Sequence, residues 1–270
     1  MTLTHTTSRE TQRVRHPLKT RRVQVLRTKR LSPHITRVTF GGPDLNDFVS
    51  LGFDDHVKLM LPHPGQTALV LPVPGPNGSE MPEGAERPVM RDYTPRRFDT
   101  PACELDIEFA LHGDGPAATW AAQAQPGQMV GIGGPRGSFV VPTGFDWHLL
   151  IGDETALPAI ARRLEELPAG VTALVVIAID PADQRPLVSA ATLQLQWVAP
   201  DSEALLQAVT ALTLPAGEGH AWAAGEARAM ARVREVLTQH HRIASHRCRC
   251  AAYWKSGAAG HHENLQDSAS

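Results

Sequence analysis

The fold is decided by Arg91-Asp92-Tyr93-Thr94-Pro95-Arg96, read together with Gly133-Gly134-Pro135-Arg136-Gly137-Ser138 further along the chain. On a strand, Arg91 and Tyr93 point to one face, and Asp92 and Thr94 point to the other. A guanidinium matches phosphate oxygens, a tyrosine ring packs against a flat heterocycle, and a Gly-Gly-Pro turn lets the backbone approach a ligand closely. Either stretch alone also fits an ordinary strand or turn. Together they predict a site for a flavin dinucleotide, FAD.

The first half of the chain, up to about Pro142, consists of short alternating segments between Gly and Pro residues. These period-two segments are 23–26, 35–40, 56–61, 105–111 and 129–132. This pattern predicts an antiparallel six-stranded barrel. Residues 62–88 are dense in Pro and Gly, which predicts a long surface loop that is either solvated or covers a ligand.

The second half alternates continuous apolar runs with segments of helical periodicity, which predicts a mostly parallel α/β sheet. Its first strand-to-helix turn carries Gly152, Asp153, Glu154 and Thr155. A dinucleotide would place its pyrophosphate at this turn. However, the turn has one glycine instead of G-x-G-x-x-G, and two carboxylates would repel a phosphate. The spacing alone therefore does not predict pyridine nucleotide binding.

A glycine-rich turn, His112-Gly113-Asp114-Gly115, follows the alternating segment 105–111 and leads into Pro116-Ala117-Ala118-Thr119-Trp120. The exposed N–H groups at such a helix start can bind a phosphate. The same residues also fit a plain helix start with Pro in its first turn. This stretch leaves both interpretations open.

Composition narrows the function classes. The chain has 270 residues, 42% hydrophobic residues and a net charge of -2, which predicts two domains and argues against nucleic acid held by bulk charge. No stretch approaches a membrane span or a signal sequence, so we expect a cytoplasmic protein. Among the 3 Cys, Cys248 and Cys250 fit small strand residues better than zinc ligands, because structural zinc sites need four ligands.

The expected domains are a flexible arm at 1–17, a FAD-binding domain at 18–143, an NAD(P)H-binding-like domain at 144–257 and a tail at 258–270.

The stretches quoted above, together with Ala224-Gly225-Glu226 and Tyr253-Trp254-Lys255-Ser256-Gly257, resemble the siderophore-interacting protein family. This is a family of FAD-dependent ferric-siderophore reductases on the ferredoxin-reductase scaffold. The resemblance extends from about residue 23 to 257. It implies a flavin-binding barrel followed by a Rossmann-like parallel α/β domain.

The resemblance also implies the site residues. Those expected to hold or border FAD are Arg91, Tyr93, Thr94, Arg96, His112, Gly115, Ala117, Trp120, Gly137, Ser138 and Thr155. Those expected to receive the ferric siderophore are the cations Lys58, Arg136 and Lys255. Many ferric siderophores are anionic, and grouped cations raise their local concentration. Lys58 and Lys255 also fit plain solvated lysines.

The implied activity passes electrons from NADPH or NADH, or from ferredoxin, through the flavin to siderophore-bound Fe(III), and releases Fe(II). The siderophore supplies the iron ligands, so neither a protein metal site nor a catalytic side chain is expected. Arg185 fits a 2′-phosphate contact that would select NADPH, or a solvated loop arginine. Two alternatives remain: a flavin or ferredoxin reductase with another acceptor, and a siderophore carrier without turnover.

Overall fold

The structure is a computed structural model that describes residues 9–66, 68–75, 78–111, 115–257 and 263–265. The chain divides into two compact units. The first unit comprises 13–139, and the second comprises the residues before Arg13 and after Phe139. Each unit has its own sheet and its own hydrophobic core.

Up to Val140, the chain forms eleven strands and one α-helix among the described residues. They are β1 (Gln12–Arg15), β2 (Thr20–Ser32), β3 (Ile35–Gly41), β4 (Val57–Leu61), β5 (Val73–Gly75), β6 (Gly78–Glu80), β7 (Val89–Tyr93), β8 (Arg97–Asp99), β9 (Glu104–Ala110), α1 (Pro116–Ala122), β10 (Met129–Gly133) and β11 (Gly137–Val140).

A curled antiparallel sheet of seven strands, in the order β7-β4-β10-β2-β3-β9-β8, forms the first unit. Its core contains fully buried side chains from alternating strand positions, such as Val23, Val38, Leu59 and Ile107. The sequence predicted six strands. The three-residue β8 is one strand that the sequence did not predict, because a segment of this length is too short to show a period of two.

The proline-rich insertion within 62–88 is more ordered than its composition predicts. It contains the hairpin of β5 and β6, and Pro72 is buried. A Cβ atom at Gly131 would lie 2.3 Å from Leu71 Cδ2, so Leu71 covers the outer face of β10 at a position that only glycine leaves open. The insertion therefore packs on the sheet along part of its length.

The second unit contains a parallel sheet with helices between its strands. Its elements are β12 (Trp147–Asp153), α2 (Leu157–Glu166), β13 (Thr172–Ala178), β14 (Thr192–Val198), α3 (Ser202–Thr210), β15 (Gly219–Glu226), α4 (Ala227–Glu235), β16 (Cys248–Trp254) and β17 (Glu263–Leu265). The strand order is β14-β13-β12-β15-β16-β17, with only β17 antiparallel to its neighbour. The chain runs from β12 through β13 to β14 and then crosses to β15 on the other side of β12, so its direction of propagation reverses beside β12. In open α/β sheets, ligands bind at the carboxyl ends of the strands beside such a reversal.

Two segments differ from the predicted arm and tail. Within 1–17, Gln12–Arg15 form β1, which pairs with β11, and Arg9 donates from Nε to Gly144 O at 2.9 Å. The carboxylates of Asp146 and Glu218 form ion pairs with the Arg9 guanidinium. Within 258–270, Glu263–Leu265 form β17, and the half-buried Leu265 packs on the core. His261-His262 lie outside the described residues.

Candidate functional site

The edge strand β7 presents Arg91 and Tyr93 on one face, as the alternation predicted. Arg91 pairs with Leu59 across the sheet, and Tyr93 pairs with Val57. Directly paired residues of antiparallel strands project from the same face, and Leu59 and Val57 are fully buried. Arg91 and Tyr93 therefore project on the core side of the sheet, where each is half-buried.

Tyr93 has one side of its ring packed on the core. Its ring centroid lies 4.5 Å from that of Phe109, with the planes at 45°. Burial raises the pKa of the Tyr93 phenol, and the nearby Arg91 charge opposes this shift only partly. The ring is therefore a neutral aromatic surface, and its half-exposed part is available to a flat ligand.

The Arg91 guanidinium has donors that are not taken up by a carboxylate. Its Nη1 donates to the carbonyl of Met90 at 2.8 Å, and it forms no ion pair with any carboxylate in the part of the chain that the structure describes. Thr94 is a buried residue, and no hydrogen bond among the described residues engages its hydroxyl. This pair of donors fits the phosphate and ring heteroatoms of a flavin dinucleotide.

Arg96 is placed differently. Its side chain is buried, and its Nε lies 3.6 Å from Oε1 of the buried Glu108. Glu108 also accepts a hydrogen bond from Arg37 Nη2 at 2.6 Å. These contacts give Arg96 a role in the charge balance of the sheet, so its predicted contact with FAD rests on the sequence alone.

The short helix α1 packs against β3, β7 and β9. Ala117 is buried, and Gly115 is exposed directly before the helix. Trp120 stacks on Phe40, with ring centroids 6.2 Å apart and planes at 12°. Gly115 and Trp120 therefore lie on an element that touches the strand carrying Arg91. His112 lies outside the described residues.

Ser138 has its hydroxyl fully engaged within the first unit. Oγ donates to Asp55 Oδ2 at 2.6 Å, accepts from Leu51 N at 3.1 Å and lies 2.8 Å from His16 Nε2. A Cβ at Gly137 would lie 2.6 Å from Val14 O, so glycine allows β1 and β11 to approach. Any contact of this pair with a cofactor would thus come from backbone atoms.

Two of the predicted substrate cations lie in the first unit and one in the second. Lys58 Nζ donates to Asp92 Oδ2 at 2.7 Å, and the pair projects from the face opposite Tyr93. Lys58 also pairs with Gly133, three residues before the exposed Arg136. Arg136 and the exposed Lys255 form no ion pair with any of the described residues. Lys58 is thus partly neutralised by Asp92, whereas the other two cations keep their full charge.

In the second unit, the carboxyl end of β12 holds a carboxylate network instead of a phosphate-binding turn. Both the backbone N and the Oγ1 of Thr155 donate to Asp153 Oδ1, at 2.9 and 2.5 Å. Burial raises the pKa of Asp153. Burial, reinforced by the Asp153 charge, raises the pKa of Glu154 to about 7. Thr155, predicted to contact FAD, thus has its hydroxyl committed to Asp153.

A cavity of about 90 Å³ in the first unit, lined in part by Gly134 and Pro135, is too small for a dinucleotide. Its cations Lys19 and Arg21 both pair with Asp47. We therefore do not assign the flavin to this cavity.

Comparison with known families covers nearly all of the described chain. Residues 24–139 match the siderophore-interacting FAD-binding domain, and residues 145–257 match the siderophore-interacting protein model. This chain belongs to the siderophore-interacting protein family. The first unit is accordingly a FAD-binding domain.

Relatives of this chain include proteins that are named as ferric reductases. It is 38% identical over 253 residues to the NADPH-dependent ferric-chelate reductase of Escherichia coli (strain K12), covering 92% of this chain and 98% of the relative. It is 32% identical over 245 residues to the ferric vibriobactin reductase ViuB of Vibrio cholerae, covering 88% and 90%.

Solved structures extend the comparison. A siderophore utilization protein from T. fusca has a TM-score of 0.86 at 35% identity, covering 93% of this chain and 98% of that one. A ferredoxin reductase of carbazole 1,9a-dioxygenase has a TM-score of 0.62 at 19% identity, covering 88% and 69%, and shows the shared ferredoxin-reductase-like fold. Among the residues that the structure describes, no helix is both long and apolar enough to cross a bilayer.

Three contacts at the site were not predicted from the sequence. Asp92 pairs with Lys58, Asp55 holds Ser138, and Asp153 accepts a hydrogen bond from Trp254 Nε1 at 2.8 Å. The Lys58–Asp92 pair could have been found by aligning the two predicted strands. The other two contacts join residues 83 and 101 positions apart and leave no local signal.

Proposed function

We propose that this protein is a FAD-dependent reductase that takes electrons from NADPH and delivers them to the iron of ferric siderophores. The observation that carries this proposal is that the Arg91 guanidinium, which has no carboxylate partner among the described residues, and the partly exposed Tyr93 ring share one face of β7 within the FAD-binding domain. The names of the relatives support both the donor and the acceptor. NADH and ferredoxin remain alternative donors, and a cytoplasmic location remains a prediction.

The redox chemistry belongs to the bound FAD, which links a hydride donor to a one-electron acceptor. Arg91 would bind the pyrophosphate with its fork of donors. Tyr93 would cover the flavin ring and exclude water, and the Thr94 hydroxyl would donate or accept at the ring edge. Gly115, Ala117 and Trp120 would border the cofactor, with backbone atoms of Gly137 and Ser138 on its phosphate side. His112 would border the cofactor as well, whereas the side chains of Arg96 and Thr155 are engaged by Glu108 and Asp153.

The siderophore would be attracted by cationic side chains. Lys58 and Arg136 supply positive charge in the first unit, and Lys255 supplies it in the second. Because Asp92 neutralises part of the Lys58 charge, we expect Arg136 to have the larger effect in the first unit. The ligands of the iron would remain those of the siderophore. We further propose that the second unit is a Rossmann-like domain that receives NADPH, and that the first is closed as a barrel.

Anaerobic stopped-flow spectroscopy of the purified yellow protein tests this function. NADPH, NADH and reduced ferredoxin are mixed in turn with the protein, and bleaching of the flavin absorbance is followed. We expect NADPH to bleach the flavin fastest. A ferric tris-catecholate added next should restore the absorbance while a chromogenic chelator traps Fe(II).

Two outcomes would contradict the proposal. If free flavin or ferredoxin reoxidises the protein and the ferric chelate does not, the protein is a reductase with another acceptor. If the protein binds the ferric chelate but no donor bleaches its flavin, the protein is a carrier without turnover.

A further inference from the structure

An exposed indole is tied to a carboxylate at the carboxyl end of the parallel sheet. Trp254 is 39% exposed, and its Nε1 donates to Asp153 Oδ2 at 2.8 Å. The two residues are 101 positions apart in the chain. The rest of the indole is buried, and the hydrogen bond to Asp153 ties its polar edge to the turn after β12.

Asp153 is saturated by donors. Oδ1 accepts from the backbone N and Oγ1 of Thr155, and Oδ2 accepts from Trp254 Nε1 and from Glu226 N at 3.1 Å. A carboxylate with four donors has one orientation in which all are satisfied. Neither an amide nor a shorter side chain can accept at all four positions.

The neighbouring strands are shaped to allow this contact. Gly225 has a φ of +155°, and a Cβ there would lie 2.5 Å from Asp153 Oδ2. Between Gly225 and Glu226 the pairing of β15 with β16 shifts, so that Ala252 faces Gly225 and Trp254 faces Glu226. The bulge leaves Tyr253 as the extra residue. Bulges re-aim side chains, and this one brings the indole of Trp254 to Asp153.

We infer that Asp153 is a positioning residue that fixes the indole of Trp254 and, through it, the backbone that carries Lys255. The inference rests on the proposed function, because it gives Lys255 a substrate to meet. Lys255 is exposed and follows Trp254 directly, so anchoring the indole restrains the backbone from which the lysine side chain projects. Thr155 is then a support for Asp153 and not a flavin contact.

The first test is spectroscopic and needs no turnover. In ¹⁵N-labelled holoprotein, the indole N–H signal of Trp254 is assigned as the one missing from Trp254→Phe. We expect Asp153→Asn to shift this signal and to accelerate its exchange with solvent. Thr155→Ser should leave it in place, because the serine hydroxyl can still donate. Asp201→Asn is the matched control, since Asp201 caps α3 by accepting from Glu203 N and Ala204 N.

The second test is kinetic. Trp254→Phe keeps an aromatic ring but removes the donor, so Asp153→Asn and Trp254→Phe should raise the KM for a ferric tris-catecholate by a similar factor, about ten-fold. The kcat and the bound FAD should change little. The double variant should be no worse than either single one, because both remove the same hydrogen bond.

The outcomes separate the two proposals. If the wild-type protein reduces no ferric chelate, the proposed function fails, and Kd values for the ferric tris-catecholate measured by ultrafiltration replace KM. If wild-type activity is present but both variants keep its KM, the inference is overturned. It is also overturned if Asp153→Asn raises KM and Trp254→Phe does not, because Asp153 would then act only on the stability of the turn. If Asp153→Asn does not fold, Trp254→Phe at its exposed position decides the matter.

Discussion

At the scale of single residues, Tyr93 is the strongest support for a flavin site, because its ring lies partly in the core and partly at the surface. Most of it packs on the core, in contact with Phe109, and a smaller part is exposed. A residue that served only the core would be expected to bury its whole ring. The half-exposed position supports a role in covering the flavin.

Replacing Tyr93 with Ala should weaken FAD binding by roughly 10- to 100-fold, because a stacking surface worth about 1–3 kcal/mol is removed. Flavin content after gel filtration and the Kd from flavin titration measure this effect. Tyr93→Phe is the matched control, since it keeps the ring and loses only the hydroxyl. Flavin content equal to that of the wild type in Tyr93→Ala would rule out the stacking role.

Replacing Lys58 with Ala should raise the KM for an anionic ferric tris-catecholate and leave that for an uncharged ferric tris-hydroxamate nearly unchanged. The expected change is about five-fold or less, corresponding to about 1 kcal/mol for one exposed charge. Lys29→Ala is the control, because Lys29 is also an exposed lysine on a strand of the same sheet. Equal effects on both chelates would show that charge is not what Lys58 contributes.

Elements with clear alternation or helical periodicity were predicted well from the sequence. The alternating segment 105–111 is β9 with ends shifted by one residue, and the second half alternates strands with helices as its periodicity predicted. Strand β2 was predicted over only four residues, because its exposed charged half hides the alternation.

The candidate site was predictable where it depends on a single strand. The shared face of Arg91 and Tyr93 follows from alternation alone. The buried pairing of Arg96 with Glu108 and the anchoring of Trp254 by Asp153 depend on sheet order and on a bulge. Sequence periodicity contains neither, so these contacts could not be found before the structure was known.

At the scale of an element, the turn after β12 leads to a prediction about the KM for NADPH. Its carboxylates lie where a nucleotide phosphate would bind in a related sheet, so Glu154→Gln should lower the KM for NADPH by removing a like charge. Because the pKa of Glu154 is about 7, the wild-type carboxyl loses its charge as pH falls through 7. The wild-type KM for NADPH should therefore fall from pH 8 to pH 6, and the variant should show a flatter profile.

Steady-state kinetics across this pH range measure both effects. Glu165→Gln is a suitable control, because it removes a carboxylate from α2 at a distance in sequence from the turn. A KM for NADPH that rises in Glu154→Gln would mean that the carboxylate helps the nucleotide to bind, and the repulsion argument would be wrong.

At the scale of the whole molecule, two buried histidines make the second unit sensitive to acid. His148 and His220 are adjacent on β12 and β15, and Phe145 packs on both. Burial lowers the pKa of each to about 3, and the nearby charge of Arg163 adds to the shift. Both are therefore neutral in the folded protein over most of the pH range.

The unfolded chain binds protons at these histidines below about pH 6.5, whereas the folded chain does so only near pH 3. Stability is thus retained above pH 6.5 and lost as pH falls, by about 1.4 kcal/mol per pH unit for each histidine. Urea unfolding of the wild type and of His148→Gln/His220→Gln between pH 7 and pH 4 measures this slope. The double variant should be less dependent on pH, and the exposed His246→Gln should match the wild type.

The packing of Leu71 on Gly131 limits how this sequence can vary. Surface loops rich in proline usually tolerate deletion, but removing Leu71 from this one would expose the backbone of β10 at Gly131 to solvent. A larger residue at Gly131 would instead push Leu71 outward. Length changes in this excursion and side-chain size at position 131 are therefore expected to change together among homologous chains.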